Sequence, residues 1–286
     1  MKIALGGVTF GREVDEQESF KLLDYAVERG ITLIDTAEVY GADHASERVI
    51  GRWLRATGGR DRVVLQTKTV AARPDDVAKA IEGSLERLQT DRIDLYLLHR
   101  FHDDVPLADT MTAIAQAIRA GRIGAPGCSN LTTEQLKSAL NVSPPFKVVQ
   151  PPYSLVAREI EGEFLEVCKR ENIAVITYSP LGAGFLTGKY DGTVPPGTRF
   201  DVIPGHRDIY FSDRNFDIVR RLRALSERVG VPMAKLALAW ALRNPDMDAV
   251  LIGARRKEHI DNAIEALHMD APEEWFTEMS SWTGHA

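Results

Sequence analysis

Four side chains that can carry out proton chemistry lie at or just past the ends of three consecutive predicted strands. Asp35 and Tyr40 follow the first of these strands, Lys68 follows the second and His99 follows the third. The strands are the apolar runs at residues 31–34, 63–67 and 93–98. A charged group directly after a buried strand is costly unless it is paired or used. We therefore expect a carboxylate, a phenol, an ammonium and an imidazole to meet at one edge of a parallel sheet.

The four residue types fit one reaction. A free phenol has a pKa of about 10, and an ammonium group beside it stabilises the phenolate and lowers that pKa. A carboxylate beside the lysine keeps the lysine charged and fixed, and a neutral imidazole can hydrogen-bond a substrate oxygen. Such a site can protonate a developing alkoxide. The electrons must come from a bound hydride donor, because no side chain supplies one.

Each residue also has an ordinary structural explanation. Asp35 can cap a turn, Tyr40 can pack as an aromatic, Lys68 can form a surface ion pair, and His99 can be a hydrogen-bonded core histidine. A metal pair of His99 with His102 is conceivable, but no third ligand accompanies them, so we expect no metal. The shared edge of the sheet favours the joint catalytic interpretation.

Strand-like and helix-like segments alternate along the chain, which predicts a parallel sheet built through right-handed crossovers. Predicted strands begin near Met1, Thr32, Val63, Ile93, Ile123, Val148, Ala174 and Ala249. Predicted helices cover residues 16–28, 46–55, 74–88, 107–120, 132–139, 162–171, 215–229 and 233–243. Eight such units in about 250 residues predict a (β/α)8 TIM barrel, whereas doubly wound sheets usually have fewer strands. Pro126 interrupts the fifth strand, and we expect a bulge or an early strand end there.

A segment rich in glycine and proline, residues 181–213, separates the seventh strand from the helices that precede the eighth. Irregular insertions of this length in a compact domain are usually functional. The alternative for its distal half is a disordered surface loop. We expect residues 1–286 to form a single barrel domain that carries this insertion.

The composition argues against several classes of protein. A net charge of −6 and a pI of about 5.7 provide no basic field for nucleic acid. We expect no membrane partner, because no apolar run is long enough to span a bilayer, and the start of the chain does not read as a signal peptide. The two cysteines, Cys128 and Cys168, form no ligand or redox motif, which fits a cytoplasmic protein.

Motifs along nearly the whole chain are similar to those of the aldo-keto reductases. They are residues 34–41 (IDTAEVYG), 66–69 (QTKT), 97–99 (LLH), 127–130 (GCSN), 149–154 (VQPPYS), 178–182 (YSPLG), 186–190 (LTGKY) and 252–255 (IGAR). The resemblance implies a (β/α)8 barrel that reduces the carbonyl group of a small molecule with a nicotinamide cofactor, NADPH. It also implies that Tyr40 is the general acid, Lys68 its pKa modulator, Asp35 the partner of the lysine and His99 the group that orients the carbonyl.

The same resemblance implies where NADPH binds. Ser129, Asn130 and Gln150 would hold the nicotinamide carboxamide, and Tyr178 would stack on the nicotinamide ring. The segment that runs through Ser179, Pro180, Leu181, Gly182, Gly184 and Lys189 would cover the pyrophosphate. For the insertion itself, the functional interpretation is a flap whose distal half borders the substrate mouth. Residues that follow the eighth strand would receive the adenosine 2′-phosphate, and these are Gly253, Arg255, Arg256 and His259.

Two points separate the chain from the family pattern or leave its function open. The family's N-terminal hairpin is expected to be shortened or absent, because the first predicted strand begins almost at Met1. The alternative function is that of a cofactor-binding regulatory partner, similar to potassium-channel β subunits, with little turnover. A metal-dependent barrel hydrolase would instead require bound metal. The sequence does not identify the carbonyl substrate, the physiological direction or the oligomeric state.

Overall fold

Eight short parallel strands follow one another around a closed barrel in chain order, and β8 pairs with β1. A computed structural model describes residues 2–282. The strands are β1 (Ile3–Gly6), β2 (Leu33–Asp35), β3 (Val64–Thr69), β4 (Ile93–Leu98), β5 (Ile123–Ser129), β6 (Val148–Gln150), β7 (Ala174–Thr177) and β8 (Ala249–Gly253). Closure between β1 and β8 leaves no sheet edge, so the predicted (β/α)8 TIM barrel is confirmed.

Helices separate the strands and cover the outside of the barrel. They are α1 (Glu16–Glu28), α2 (Ala45–Thr57), α3 (Pro74–Leu88), α4 (Leu107–Arg119), α5 (Thr133–Ala139), α6 (Glu163–Arg170), α7 (Arg199–Val202), α8 (Arg207–Tyr210), α9 (Asp213–Val229), α10 (Met233–Arg243), α11 (Lys257–Leu267) and α12 (Glu273–Ser280). In α3, Pro74 occupies the first turn, and one face buries Val77, Ile81, Leu85 and Leu88. This spacing of four, four and three matches the helical period, which explains why the sequence predicted both bounds.

The side chains of each strand alternate between the barrel interior and the layer beneath the helices. The interior holds a small apolar cluster that consists of Ala4, Leu97, Val148, Ile176, Ala249 and Leu251. In β3, Leu65 packs in the outer layer and Thr67 bonds Glu47 of α2. The intervening Gln66 and Lys68 both bond Asp35 of β2. The apolar interior therefore becomes polar towards the carboxyl ends of the strands.

Strand β5 continues through Pro126 to Ser129, so the expected bulge or early strand end was wrong. Pro126 lies opposite Tyr96 of β4, and its carbonyl accepts a hydrogen bond from Lys147 N at 2.8 Å. The N–H that Pro126 lacks would point to the same side of the strand as its carbonyl, towards β6. Strand β6 begins only at Val148, which lies opposite Gly127, so no residue of β6 lies opposite Pro126. The proline therefore removes no hydrogen bond from an established ladder.

The insertion at residues 181–213 folds around a cluster of aromatic rings. A short 3-10 turn, Gly182–Thr187, is followed by α7, a second 3-10 turn (Pro204–His206) and α8. Phe185, Tyr190, Phe200 and Tyr210 are all buried. The ring centroids of Tyr190 and Phe200 are 4.5 Å apart. Aromatic rings that pack at such distances fix the distal half of the insertion against its beginning.

The amino end of the described chain leads directly into the barrel. Within residues 2–282, no β-hairpin precedes β1, whose first residue is Ile3. In the same residues, none of the helices combines the length and the apolar character needed to cross a bilayer.

Candidate active site

Lys68 lies at the centre of the polar cluster and joins the strands that carry it. Its Nζ donates to Asp35 Oδ1 at 2.6 Å, to the Thr36 carbonyl at 2.8 Å and to Tyr40 Oη at 3.3 Å. The Lys68 side chain is 0% exposed and that of Asp35 is 4% exposed. A buried ammonium is tolerated here because its three donors all have acceptors, one of them a carboxylate. The structure therefore brings together Asp35, Lys68 and Tyr40, as the sequence predicted.

The loop after β2 carries Tyr40 to this lysine, and Glu38 attaches that loop to β3. The backbone N–H of Glu38 donates to the Lys68 carbonyl at 3.0 Å. Glu38 Oε1 accepts from Thr69 Oγ1 and from Val70 N, each at 2.7 Å. Carboxylate hydrogen bonds of this kind are about twice as strong as neutral ones, so the loop is held along β3.

A glycine then turns the loop into α2. Gly41 has a φ of 78°, in the left-handed region that side chains disfavour. A Cβ at this position would lie 2.9 Å from Ala45 Cβ, which is too close for two carbon atoms. The sharp turn therefore requires glycine directly after Tyr40, and it leaves the phenol half-buried over Lys68.

Opposing influences act on the protons of Tyr40 and Lys68. Burial raises the pKa of the Tyr40 phenol and Asp35 raises it further, while Lys68 lowers it, and the net pKa lies above the usual value. The lowering by Lys68 that the sequence predicted is present, but desolvation outweighs it. Burial lowers the pKa of Lys68, but Asp35 and Tyr40 raise it, and the net pKa is raised. Lys68 is therefore charged at neutral pH.

His99 lies immediately after β4 and faces Tyr40. The two ring centroids are 5.7 Å apart and the rings are nearly perpendicular, at 82°. Burial, and then Lys68, lower the pKa of His99 to about 4. The imidazole is therefore neutral at pH 7, the form that can donate one hydrogen bond without carrying a charge.

The residues expected to hold the nicotinamide lie together at the ends of β5, β6 and β7. Ser129 Oγ donates to the Gln150 carbonyl at 2.6 Å, and Gln150 Nε2 donates to Asp35 Oδ1 at 3.0 Å. Asn130 Nδ2 donates to the His99 carbonyl at 2.9 Å, and Tyr178 Oη donates to Asn130 Oδ1 at 2.6 Å. Two short hydrogen-bonded chains result, one from Ser129 through Gln150 to Asp35 and the other from Tyr178 through Asn130 to the His99 carbonyl.

The segment expected at the pyrophosphate runs from Ser179 through Pro180, Leu181 and Gly182 to Gly184 and Lys189. The Leu181 carbonyl accepts from Gly184 N at 3.0 Å and from Leu186 N at 3.1 Å, which curls the chain into a tight turn. Gly184 has a φ of 93°, and a Cβ there would lie 3.2 Å from Lys189 Nζ. Lys189 therefore reaches back across the turn, so one cation and several backbone groups share a small surface.

The residues after β8 form a cationic surface at the start of α11. Arg255 N donates to His259 Nδ1 at 3.2 Å, and Arg256 Nη2 lies 3.5 Å from His259 Nε2. Burial lowers the pKa of His259, and Arg256, Arg255 and Lys189 lower it further. Lys189 of the insertion is therefore close enough to this loop to act on His259. Gly253 is exposed, and a Cβ there would meet nothing within 4 Å.

Glu13, in the loop between β1 and α1, forms ion pairs with this surface, which the sequence did not predict. Arg12 Nε lies 2.5 Å from Glu13 Oε2. Arg199 Nη1 and Arg255 Nη2 lie 3.6 and 3.7 Å from Glu13 Oε1. Three guanidinium groups, from the loop before α1, the start of α7 and the loop after β8, thus share one carboxylate, which leaves a net positive charge. This excess charge fits a ligand with phosphate groups, as the expected NADPH has.

Two further residues of the cluster were missed by sequence reasoning. Glu38 holds the Tyr40 loop, and Gln66 donates to Asp35 Oδ1 at 2.5 Å. The signal for both was available, since Glu38 lies two residues before Tyr40, and Gln66 lies on the same face of β3 as Lys68.

His102 Nδ1 lies 3.9 Å from exposed Asp104. The part of the chain that the structure describes contains no group of three or more His, Cys, Asp or Glu side chains placed to hold a metal ion.

The fold and the site together define a class of protein, a (β/α)8 barrel with a buried Asp35–Lys68–Tyr40 cluster at the carboxyl ends of its strands. The profile of the Aldo/keto reductase family matches residues 2–282, which is nearly the whole chain. The chain therefore belongs to the aldo/keto reductase family.

Three relatives illustrate the range of this family. The chain is 35% identical over 277 residues to the aldo-keto reductase YhdN of Bacillus subtilis, which covers 92% of this chain and 82% of that protein. It is 31% identical over 269 residues to the aldo-keto reductase yakc, designated NADP(+), of Schizosaccharomyces pombe, with coverage of 88% and 78%. It is also 30% identical over 280 residues to a probable voltage-gated potassium channel subunit beta of Arabidopsis thaliana, with coverage of 91% and 85%.

Proposed function

We propose that this protein reduces an aldehyde or ketone to an alcohol with NADPH, and that Tyr40 is the general acid. The observation that carries the proposal is the Lys68 ammonium, which is fully buried and bonded to both Asp35 and Tyr40. Burial of such a charge is costly, and the arrangement serves proton transfer because the ammonium stabilises the phenolate that remains when Tyr40 gives up its proton.

The chain's own residues then have separate tasks. The Tyr40 and His99 rings pack edge to face with centroids 5.7 Å apart, so a carbonyl oxygen beside the Tyr40 hydroxyl and an imidazole nitrogen of His99 would accept a hydrogen bond from each. His99 stays neutral, so it orients the oxygen without adding a charge. Tyr40 donates the proton as the oxygen becomes an alkoxide, and Lys68 stabilises the resulting phenolate. When bound, the nicotinamide supplies the hydride.

The proposed cofactor site runs from the centre of the barrel to α11. Ser129, Asn130, Gln150 and Tyr178 would hold the nicotinamide end, and the turn that contains Gly184 would cover the pyrophosphate. The 2′-phosphate would lie against Arg255, Arg256 and His259 at the start of α11. Support for NADPH comes from the cationic surface there, because guanidinium groups bind phosphate through two parallel hydrogen bonds, and from the designation of the relative yakc as NADP(+).

The test is carbonyl reduction by the Tyr40→Phe variant, followed as loss of NADPH absorbance across a panel of aldehydes and ketones. The variant keeps the ring and removes the only proton that the side chain can donate. General acid catalysis contributes about 10²–10⁴ in rate, so we expect kcat to fall by a factor of that order with little change in cofactor affinity. Tyr96→Phe, which removes a buried hydroxyl from the outer layer of β4, is the matched control. Turnover by Tyr40→Phe near the wild-type rate would exclude Tyr40 as the acid.

A second candidate function is a cofactor-binding regulatory subunit with little turnover, which the similarity to the Arabidopsis thaliana potassium channel subunit beta favours. Such a protein would bind NADPH through the same residues and oxidise it only slowly. The same panel separates the two functions, because NADPH oxidation by a regulatory subunit would stay slow with every carbonyl compound.

We also propose a cytoplasmic location and one barrel domain over residues 1–286, with residues 181–213 as the loop that borders cofactor and substrate. Cys128 and Cys168 are both buried as free thiols, and burial raises the pKa of Cys168 to about 12. Thiols of this kind are inert small apolar groups, which suits a reducing compartment. Fractionation of cells that produce the protein tests the location.

A further inference from the structure

We propose that Gln66 is a positioning residue that makes Tyr40 a stronger acid by drawing negative charge away from it through Asp35. This inference rests on the proposed function and concerns a side chain whose hydrogen bond goes to Asp35. Gln66 faces the barrel interior from β3, two residues before Lys68, and is 0% exposed.

Three donors converge on a single oxygen of Asp35. Oδ1 accepts from Gln66 Nε2 at 2.5 Å, from Lys68 Nζ at 2.6 Å and from Gln150 Nε2 at 3.0 Å. A carboxylate only accepts hydrogen bonds, so each amide must turn its NH₂ group towards it. This orientation leaves Gln66 Oε1 buried and without a hydrogen-bond partner among residues 2–282.

The unpartnered oxygen argues against a purely structural role for Gln66. A buried acceptor without a donor lowers the stability of the folded state, and an apolar side chain of the same size would avoid that loss. Gln66 therefore maintains its bond to Asp35 at a cost in stability. What the bond provides must lie in the charge or the position of Asp35.

The electrostatic consequence can be followed from Asp35 to Tyr40. The negative charge of Asp35 raises the pKa of the Tyr40 phenol, whereas Lys68 lowers it. A hydrogen bond from Gln66 stabilises and disperses the charge on Asp35. The phenolate of Tyr40 then experiences less repulsion, while Lys68 stays in place 3.3 Å away. Removal of the Gln66 donor should therefore weaken Tyr40 as an acid and make its phenolate a stronger base.

Thr67, the next residue of β3, offers a matched control. Its Oγ1 donates to Glu47 Oε1 at 2.6 Å, so Thr67 also gives one hydrogen bond to a buried carboxylate. It points to the opposite face of the strand, away from Asp35. Thr67→Val and Gln66→Met each remove one such bond from the same strand. An effect that is only structural would appear in both variants.

The experiment measures the pH dependence of kcat for alcohol oxidation with NADP⁺, because the Tyr40 phenolate acts as the base in that direction. For Gln66→Met we expect the rising part of the pH–rate profile to shift to higher pH by about 0.5–1 unit. At a given pH on that part of the profile, kcat would then be about three- to tenfold lower. Gln66→Leu should give the same shift, since it also lacks the donor but differs in shape. Thr67→Val should leave the profile in place.

A second measurement needs no cofactor. In a pH titration, the difference in ultraviolet absorbance between each protein and the same protein with Tyr40→Phe follows ionisation of this one phenol. The midpoint of that titration should move to higher pH in Gln66→Met and Gln66→Leu alone. An unchanged midpoint and an unchanged pH–rate profile in either folded Gln66 variant, or an equal shift in Thr67→Val, would overturn the inference. If the Gln66 variants behave as wild type while Tyr40→Phe is inactive, only the role of Gln66 is wrong. If Tyr40→Phe remains active, the proposed function itself is wrong.

Discussion

Replacement of Lys68 tests whether the buried ion pair serves catalysis or only the fold. Lys68→Met removes the ammonium and leaves the Asp35 carboxylate almost fully buried without its cation. Loss of one partner from a buried pair costs about 3–5 kcal/mol, which a domain stable by about 5–15 kcal/mol survives. We expect the free energy of unfolding in urea to fall by that amount. We expect kcat for carbonyl reduction to fall as well, because Tyr40 loses the group that stabilises its phenolate.

The double substitution Lys68→Met with Asp35→Asn separates the two effects. It removes both charges, and an amide oxygen at residue 35 can still accept from Gln66 and Gln150. Since replacement of both members of a buried pair is often nearly neutral, the double variant should be more stable than Lys68→Met alone. Its kcat should stay as low as that of the single variant, because no ammonium faces Tyr40 in either protein.

The control is an exposed ion pair of similar chemistry. Lys235 Nζ lies 2.8 Å from Glu265 Oε2, with the two side chains 27% and 58% exposed. Exposed pairs contribute about 0–1 kcal/mol, so Lys235→Met should change stability by no more than that and should leave kcat unchanged. The single variant Asp35→Asn completes the comparison. A double variant whose loss of stability equals the sum of the two single losses, or whose kcat recovers, would refute this account of the pair.

Three further predictions follow from other parts of the site. Because the pKa of His99 is about 4 in the folded protein, below its usual 6.5, the unfolded chain binds this proton first as the pH falls; up to about 3 kcal/mol of stability should be lost between pH 6.5 and 4, and pH-dependent urea denaturation should show a smaller loss in His99→Gln. Arg255→Ala should weaken NADPH binding about tenfold or more, as expected for a lost charged hydrogen bond, and should affect NADH binding much less. Arg122→Ala, directly before β5 and at the end of the barrel away from the site, serves as the control. Equal losses of affinity for both cofactors would mean that Arg255 does not bind the 2′-phosphate. Saturating NADPH should slow amide exchange in residues 181–190 more than in α3 (Pro74–Leu88), and identical exchange with and without NADPH in that segment would argue against a loop that orders over the cofactor.

Local signals in the sequence were sufficient for the architecture of the barrel. The bounds predicted for α1, α3 and α10 agree with the structure, because the apolar spacing and helix-start residues such as Pro74 act within a few residues of chain. The convergence of Asp35, Lys68 and His99 was also predictable. Consecutive parallel strands deliver their carboxyl ends to the same edge, whatever the details of packing.

Contacts between distant segments were decided only by the tertiary structure. Pro126 continues its strand because β6 begins beyond it, which the sequence around the proline does not reveal. Glu13 forms ion pairs with Arg199 and Arg255 only once three distant segments of the chain come together beside the closed barrel. The pKa of Tyr40 follows the same rule. The direction in which the pKa shifts depends on the balance between burial, Lys68 and Asp35. Burial is a property of the whole fold, whereas residue types and their spacing specify only which charges are available.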